Sequence, residues 1–231
     1  MNYFINIETS TDICSVALSR DNIVIDKREN KDRNHASTLA LYIQELLTSN
    51  NLKVKDLAGV AVSKGPGSYT GLRIGTSTAK GMAYQAGIKL LAIDTLQAMA
   101  LKVSKSTSDP NTVICTTIDA GRNEVYSELF DVDNNCIRQC EAEIITPESY
   151  ENILAEKKMI FAGNGAAKIS KIITNSNASY MPEIVTSAEY MAELTLKAYN
   201  NGDFADVAYF DPYYLKDFVA KVSTKNVLKP Q

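Results

Sequence analysis

Tyr3, Ile5 and Ile7 alternate with Phe4, Asn6 and Glu8, which is the two-residue period of a strand. The alternation returns over residues 14–19 and 23–26, with turn-forming residues at 9–12 and 20–22, so three antiparallel strands are expected to open the chain. The period then lengthens. Leu39, Ile43, Leu46 and Leu47 fall on one face of a helix over 37–49, with His35 at its entry and Ser37 as its N-cap. Residues 58–63 make a short apolar strand that runs into a Gly-rich turn, and a helix is expected over 70–85. A strand at 89–93 and a helix at 95–103 complete the first half.

The order then repeats. A polar stretch over 104–110, ending in Asp109-Pro110, breaks the helix. Strands follow at 112–119, 125–132 and 137–145, then a helix at 147–157 with Pro147 in its first turn. A strand at 159–162 and a helix at 166–174 come next. A last helix at 188–199 is closed by Asn200-Asn201-Gly202. No residue-level identity links the halves, so the duplication is one of element order. Two β-β-β-α-β-α units point to an α/β protein of two similar lobes, 1–104 and 111–231, with a C-terminal segment free to return to the first lobe.

Composition narrows the classes. Of 231 residues 45% are apolar and 22% charged, ordinary for a globular protein, and no apolar run approaches the roughly 20 residues of a membrane span. The first residues lack a basic region and read as a strand, so no signal peptide and a cytoplasmic location are expected. Net charge is −3, and the densest basic run, residues 27–33, is interleaved with acids. It reads as a solvated hairpin or loop edge, so RNA, if it is the substrate, needs a partner to hold it. Cys14 and Cys115 sit in strand-like runs, whereas Cys136 and Cys140 are four apart, which is neither a Cys-x-x-Cys pair nor half a zinc site. His35 is the only histidine, so a metallopeptidase lacks its ligand set.

The distinctive block is Ser63-Lys64-Gly65-Pro66-Gly67-Ser68-Tyr69-Thr70-Gly71-Leu72-Arg73-Ile74-Gly75. A strand that breaks here and restarts as a helix can aim backbone N–H groups at an anion, with Gly65, Gly67 and Ser68 as the candidate loop. Equally, it can be a tight turn that lets the helix pack closely on the sheet. It lacks the Gly-Lys-Ser/Thr ending of a P-loop. Asp119, with Arg122 and Glu124, either lines a cleft from the second lobe or forms a salt-bridged strand end, and the latter is favoured. On the first helix, Leu41 and Tyr42 fall outside the core face, with Thr38 and Glu45 beside them. The second helix is built of small residues almost all round, including Gly71, Gly75, Thr78, Ala79, Gly81 and Ala83. Glycines inside a helix cost up to about 1 kcal/mol each, and close approach to the sheet and to another chain would offset this. These two helices are expected to form a dimerisation surface.

The element order, the Gly-rich block and the opening Ile7-Glu8-Thr9-Ser10-Thr11 together resemble the TsaB (YeaZ) family. Ile118-Asp119-Ala120-Gly121-Arg122-Asn123-Glu124-Val125-Tyr126, Phe161-Ala162-Gly163-Asn164-Gly165 and Asp211-Pro212-Tyr213-Tyr214-Leu215-Lys216 follow in the family's order. The resemblance implies an actin/Hsp70/sugar-kinase-like (ASKHA) fold. It implies a non-catalytic subunit of tRNA threonylcarbamoyladenosine synthesis, acting on the adenosine 3′ of the anticodon in tRNAs reading codons that begin with A. A metal-bearing TsaD-like subunit would transfer the group and a TsaE-like ATPase would join them, with tRNA held mainly by the complex. The resemblance places the partner interface at Thr38, Leu41, Tyr42 and Glu45 on the first helix and Gly75, Thr78, Ala79 and Met82 on the second, a surface that also suits a homodimer. Glu8, Ser10 and Asp119 would line the cleft, with no intrinsic cofactor expected beyond a nucleotide in the cleft or at the partner interface. Glu8 stands where the family usually has Asp, which displaces any inherited phosphate chemistry. An independent small-molecule kinase on the same fold is the alternative.

Overall fold

The computed structural model describes residues 1–31 and 34–215. Strands β1 (Tyr3–Glu8), β2 (Cys14–Arg20) and β3 (Ile23–Asn30) form an antiparallel meander. Helix α1 (His35–Ser49) leads to β4 (Gly59–Ser63), α2 (Tyr69–Ala86), β5 (Lys89–Ile93) and α3 (Thr95–Ser104). In the second half β6 (Thr112–Asp119), β7 (Glu124–Phe130) and β8 (Cys136–Ile144) repeat the meander. Helix α4 (Glu151–Leu154), β9 (Lys158–Ala162), α5 (Ala166–Ile169) and β10 (Ala178–Met181) follow. A 3-10 turn, Ala188–Met191, then enters α6 (Ala192–Asn201). The sheets are ordered β3-β2-β1-β4-β5 and β8-β7-β6-β9-β10, so each half places its meander on one side of its first strand and two parallel strands on the other.

Both faces of β1 are covered, and this explains its burial. Ile5 and Ile7 pack with Leu39, Ile43 and Leu46 of α1 and Ala79 and Ala83 of α2. Phe4, on the other face, meets Ala188, Met191 and Leu194, and its ring lies edge-on to Tyr199 at 5.2 Å. Asn6 is fully buried, yet its amide donates to Ser19 Oγ at 3.1 Å and its oxygen accepts from Thr195 Oγ1 at 2.6 Å. The helix closing this face therefore comes from the second half of the chain. Conversely α3, encoded in the first half, lays Leu96, Met99, Ala100 and Val103 against Ile114, Ile118, Phe130 and Ala162 of the second sheet.

Several expected boundaries move. Helix α1 begins at His35, because that side chain turns inward to bond Thr11. Ser37 is therefore in the first turn, and its hydroxyl donates to the Asn34 carbonyl at 3.2 Å instead of capping. The basic run belongs largely to an edge strand: β3 continues to Asn30, with Arg28 paired to Asp26 and Glu45 and Lys27 paired to Glu189. Residues 32 and 33 of that run lie outside the described residues, as does Lys216 of the last family motif. The helix expected over 147–157 shrinks to α4, because Tyr150 takes a left-handed φ of 64°. The one expected over 166–174 shrinks to α5, and the one over 188–199 divides into the 3-10 turn and α6. Strand β10 had no forecast; it is four residues long and half-exposed.

Candidate functional site: the interlobe cleft and the α1–α2 face

The turn after β1 and the loop after β4 are bonded into one unit. Glu8 is buried, and its Oε1 accepts from the Ser10 N–H at 2.6 Å and from Ser63 Oγ at 3.1 Å. Burial pushes the Glu8 carboxyl above the usual carboxylate range, against the opposing pull of these bonds and of His35 nearby. The Ser10 carbonyl accepts from the Ser68 N–H at 2.6 Å, and Thr9 Oγ1 donates to the Gly71 carbonyl at 2.8 Å. Ser68 caps α2, accepting from the Gly71 N–H at 3.2 Å. Side chains at Gly67 and Gly71 would collide with the carbonyl oxygens of Ser10 and Thr9, so glycine is required there by close approach. His35 donates through Nε2 to the Thr11 carbonyl at 2.7 Å, fixing the far side of the same turn.

A cleft of about 450 Å³ opens between this unit and the second lobe. Ser10, Thr11, Asp12, Gly67 and Ser68 line it from one side, and Ile118, Asp119, Ala120, Gly121, Tyr126 and Asn164 from the other. Asp119 accepts from Lys168 Nζ and from the Gly121 N–H, both at 2.7 Å, while its own N–H donates to Asn164 Oδ1 at 2.8 Å. Partial burial pushes the Asp119 carboxyl up, but the two bonds it accepts outweigh this and hold it below its ordinary value. Its ion-pair partner is thus Lys168 of α5, which no sequence pattern marks, rather than Arg122.

A metal–nucleotide complex, which an ASKHA fold implies, does not fit this arrangement. Glu8 is not among the residues lining the cleft, and one carboxylate oxygen is taken by two internal donors. The N–H groups of Ser68 and Gly71 are likewise spent inside the loop. Among the described residues no group of three or more His, Cys, Asp and Glu side chains is placed to hold a metal ion. Nor is any helix among them long and apolar enough to cross a membrane.

On the outer side of the first sheet, α1 and α2 lie side by side. Leu41 is 51% exposed, and Thr38, Tyr42, Ile74, Thr78 and Met82 of the two helices are half-buried. Ile74, Thr78 and Met82 are four apart and form one row along α2, where Gly81 faces open space. Residues 23–223 match the model of the family described as "TsaD: tRNA N6-adenosine threonylcarbamoyltransferase". The chain belongs to this TsaD family. The protein is also 29% identical over 224 residues to the tRNA threonylcarbamoyladenosine biosynthesis protein TsaB of Escherichia coli K12, covering 93% of this chain and 94% of that one. Its fold matches YeaZ from Pseudomonas aeruginosa with a TM-score of 0.78 at 22% identity, over 93% of this chain and all of that one. A polyphosphate/ATP-glucomannokinase from Arthrobacter sp. strain KM shares the ASKHA-type architecture at a TM-score of 0.51 and 10% identity, covering 86% and 100%.

Within this TsaD-family chain the expected interface residues divide. Thr38, Leu41, Tyr42, Thr78 and Met82 reach the surface. Glu45 does too, but it is paired with Arg28 at 3.2 Å. Gly75 and Ala79 do not: Ala79 is fully buried in the first core, and Gly75 is backed by Thr9, Val62 and Ile7. Their smallness serves the protein's own sheet. Ile74, which lies beside Thr78 in the surface row, was missed because a lone isoleucine in a helix of small residues reads as core.

Proposed function

We propose that this chain is a non-catalytic subunit of threonylcarbamoyl transfer to tRNA, which binds and activates a TsaD-like catalytic subunit through its α1–α2 face. The observation that carries the reading is that pair of adjacent helices, which leaves Leu41 exposed, Tyr42, Ile74 and Met82 half-buried and Gly81 facing open space, in a chain with relatives named TsaB. Docking two such helix pairs would bury Leu41, Tyr42, Ile74 and Met82 together. The enclosure of Glu8 supports the absence of chemistry in the chain's own cleft. A TsaE-like ATPase completes the assembly, which works in the cytoplasm on the adenosine 3′ of the anticodon in tRNAs reading codons that begin with A, and the free chain pairs with itself through the same helices.

The test is threonylcarbamoyl transfer to tRNA by the TsaD-like and TsaE-like proteins, supplied with threonylcarbamoyl-adenylate, with and without this chain. A strict requirement for a chain that is inert alone is expected; transfer that proceeds equally without it overturns the reading. The alternative, an independent small-molecule kinase on the same fold, requires ATP turnover by the isolated chain, and the enclosure of Glu8 predicts none.

A further inference from the structure

Helix α2 carries a second row of side chains that the partner face does not use. Tyr69, Arg73, Ser77, Lys80 and Tyr84 recur at helical spacing, about 100° round the helix from Ile74, Thr78 and Met82. Residues 204–214 return to the first lobe beside this row. Val207 and Phe210 pack against its core, and Lys80 Nζ donates to the carbonyls of Ala208 and Phe210, both at 3.0 Å. The exposed aromatic side chains among the described residues are Tyr84, Phe204, Tyr209, Tyr213 and Tyr214, and all of them lie on α2 or on this segment. Tyr84 and Tyr209 are 84% and 85% exposed, so their rings serve no core.

A groove of about 310 Å³ runs between the two elements. Tyr69, Arg73, Thr76, Ser77 and Lys80 line one wall, and Asp211, Pro212 and Tyr214 line the other. The rings of Tyr69 and Tyr214 meet with centroids 4.8 Å apart. Arg73 lies over the Tyr69 ring at 5.2 Å and donates to its hydroxyl at 2.7 Å. Arg73 thus bonds a phenol and Lys80 bonds two carbonyls, and neither pairs with a carboxylate among the described residues. Thr76 is 5% exposed, and its hydroxyl has no hydrogen-bond partner.

Two cations against one acid, with hydroxyl donors between them and tyrosine rings at one end, suit a phosphate joined to a flat ring. We propose that this groove takes a single-stranded segment of RNA. Arg73, Lys80 and Ser77 hold a backbone phosphate, and a base splayed out of the strand stacks on Tyr214. A base paired within a duplex cannot present its face to the ring, so the groove selects single strands. That the RNA is the tRNA of the modification reaction rests on the function proposed for the chain. The groove occupies a different side of α2 from the partner row, so RNA and a partner chain can be held at once.

The test is binding of a labelled single-stranded RNA of about eight nucleotides to the full chain, read by fluorescence anisotropy over a salt series. Arg73 and Tyr214 are exposed, so Arg73→Ala and Tyr214→Leu should keep the parent's unfolding midpoint. Arg73→Ala is expected to weaken binding and to lower the logarithmic salt slope by about 0.7, the loss of one phosphate contact. Tyr214→Leu is expected to weaken binding about fivefold or more with the slope unchanged, the loss of one stacked base. Duplex RNA of the same sequence should bind more weakly than the single strand. No saturable binding, an indifferent Tyr214→Leu, or equal affinity for the duplex overturns the groove. Variants that lose a TsaD-like partner instead of RNA make it a protein interface, which also overturns it. Transfer assays separate the two readings. If transfer needs the chain but both variants keep the parent's KM for tRNA, the tRNA assignment fails and the proposed function stands. If the groove binds RNA but transfer proceeds without the chain, the proposed function fails and the groove stands.

Discussion

A methyl group added at Gly67 would meet the carbonyl oxygen and side chain of Ser10, whereas one added at Gly81 would meet nothing. The two glycines therefore predict opposite results. Gly67→Ala should lower stability by about 1–3 kcal/mol through overpacking, and Gly81→Ala should raise it by about 0.5–1 kcal/mol through lower unfolded-state entropy. Urea unfolding of the two variants separates them. Glu8 gives a third prediction at this scale. Truncation to alanine strands the Ser10 N–H and the Ser63 hydroxyl in a buried site, so Glu8→Ala should cost about 1–3 kcal/mol or more. The sign of its pH effect follows from burial. The folded chain holds the Glu8 proton to higher pH than the unfolded chain does, so this group's contribution falls as pH rises from the ordinary glutamate value toward the raised one. Glu8→Gln should flatten that slope in unfolding measured between pH 4 and neutrality.

At the scale of elements, the exposed Leu41 of α1 and the buried Ala79 of α2 make association and stability separable. Leu41→Glu should weaken self-association and binding to a TsaD-like partner by tenfold or more, on the order of 1.4 kcal/mol, while leaving the unfolding midpoint near that of the parent. Sedimentation velocity and urea unfolding read the two effects. Ala79→Leu should do the reverse, since its added methyl groups enter a closed core. The difference between these two helices also marks what the sequence could tell. Strands and long helices were legible because their alternation and one-sided leucines report burial directly. The stripe of small residues on α2 was not, since a glycine is equally at home against its own sheet or another chain. The late start of α4 was not legible because a left-handed Tyr150 has no sequence signature, and β10 was not because four half-exposed residues carry too little pattern. In the cleft, Gly67, Ser68, Ser10 and Asp119 could be named. Lys168 could not, because its pairing with Asp119 spans 49 residues.

For the whole molecule, the division read from the sequence at residues 104–111 does not divide the packing. The face of the first sheet that carries Phe4, Ala17, Ala61 and Leu91 is closed by residues 188–201, and the second sheet is closed by α3. Thr195 bonds Asn6 across this junction, and Thr186 bonds Thr11 at 2.7 Å. A fragment of residues 1–104 should therefore lack a cooperative thermal transition and bind a hydrophobic dye, whereas the full chain should melt in one step. A fragment that melts cooperatively would show that α6 is dispensable. The exchange of helices also sets an order on synthesis. While the ribosome is still making the second lobe, the first sheet stands with one greasy face bare, and the strip that seals it, residues 188–201, emerges only after every strand of the second sheet. Maturation cannot proceed lobe by lobe, and the nascent first half is the stage at which this protein most needs a chaperone.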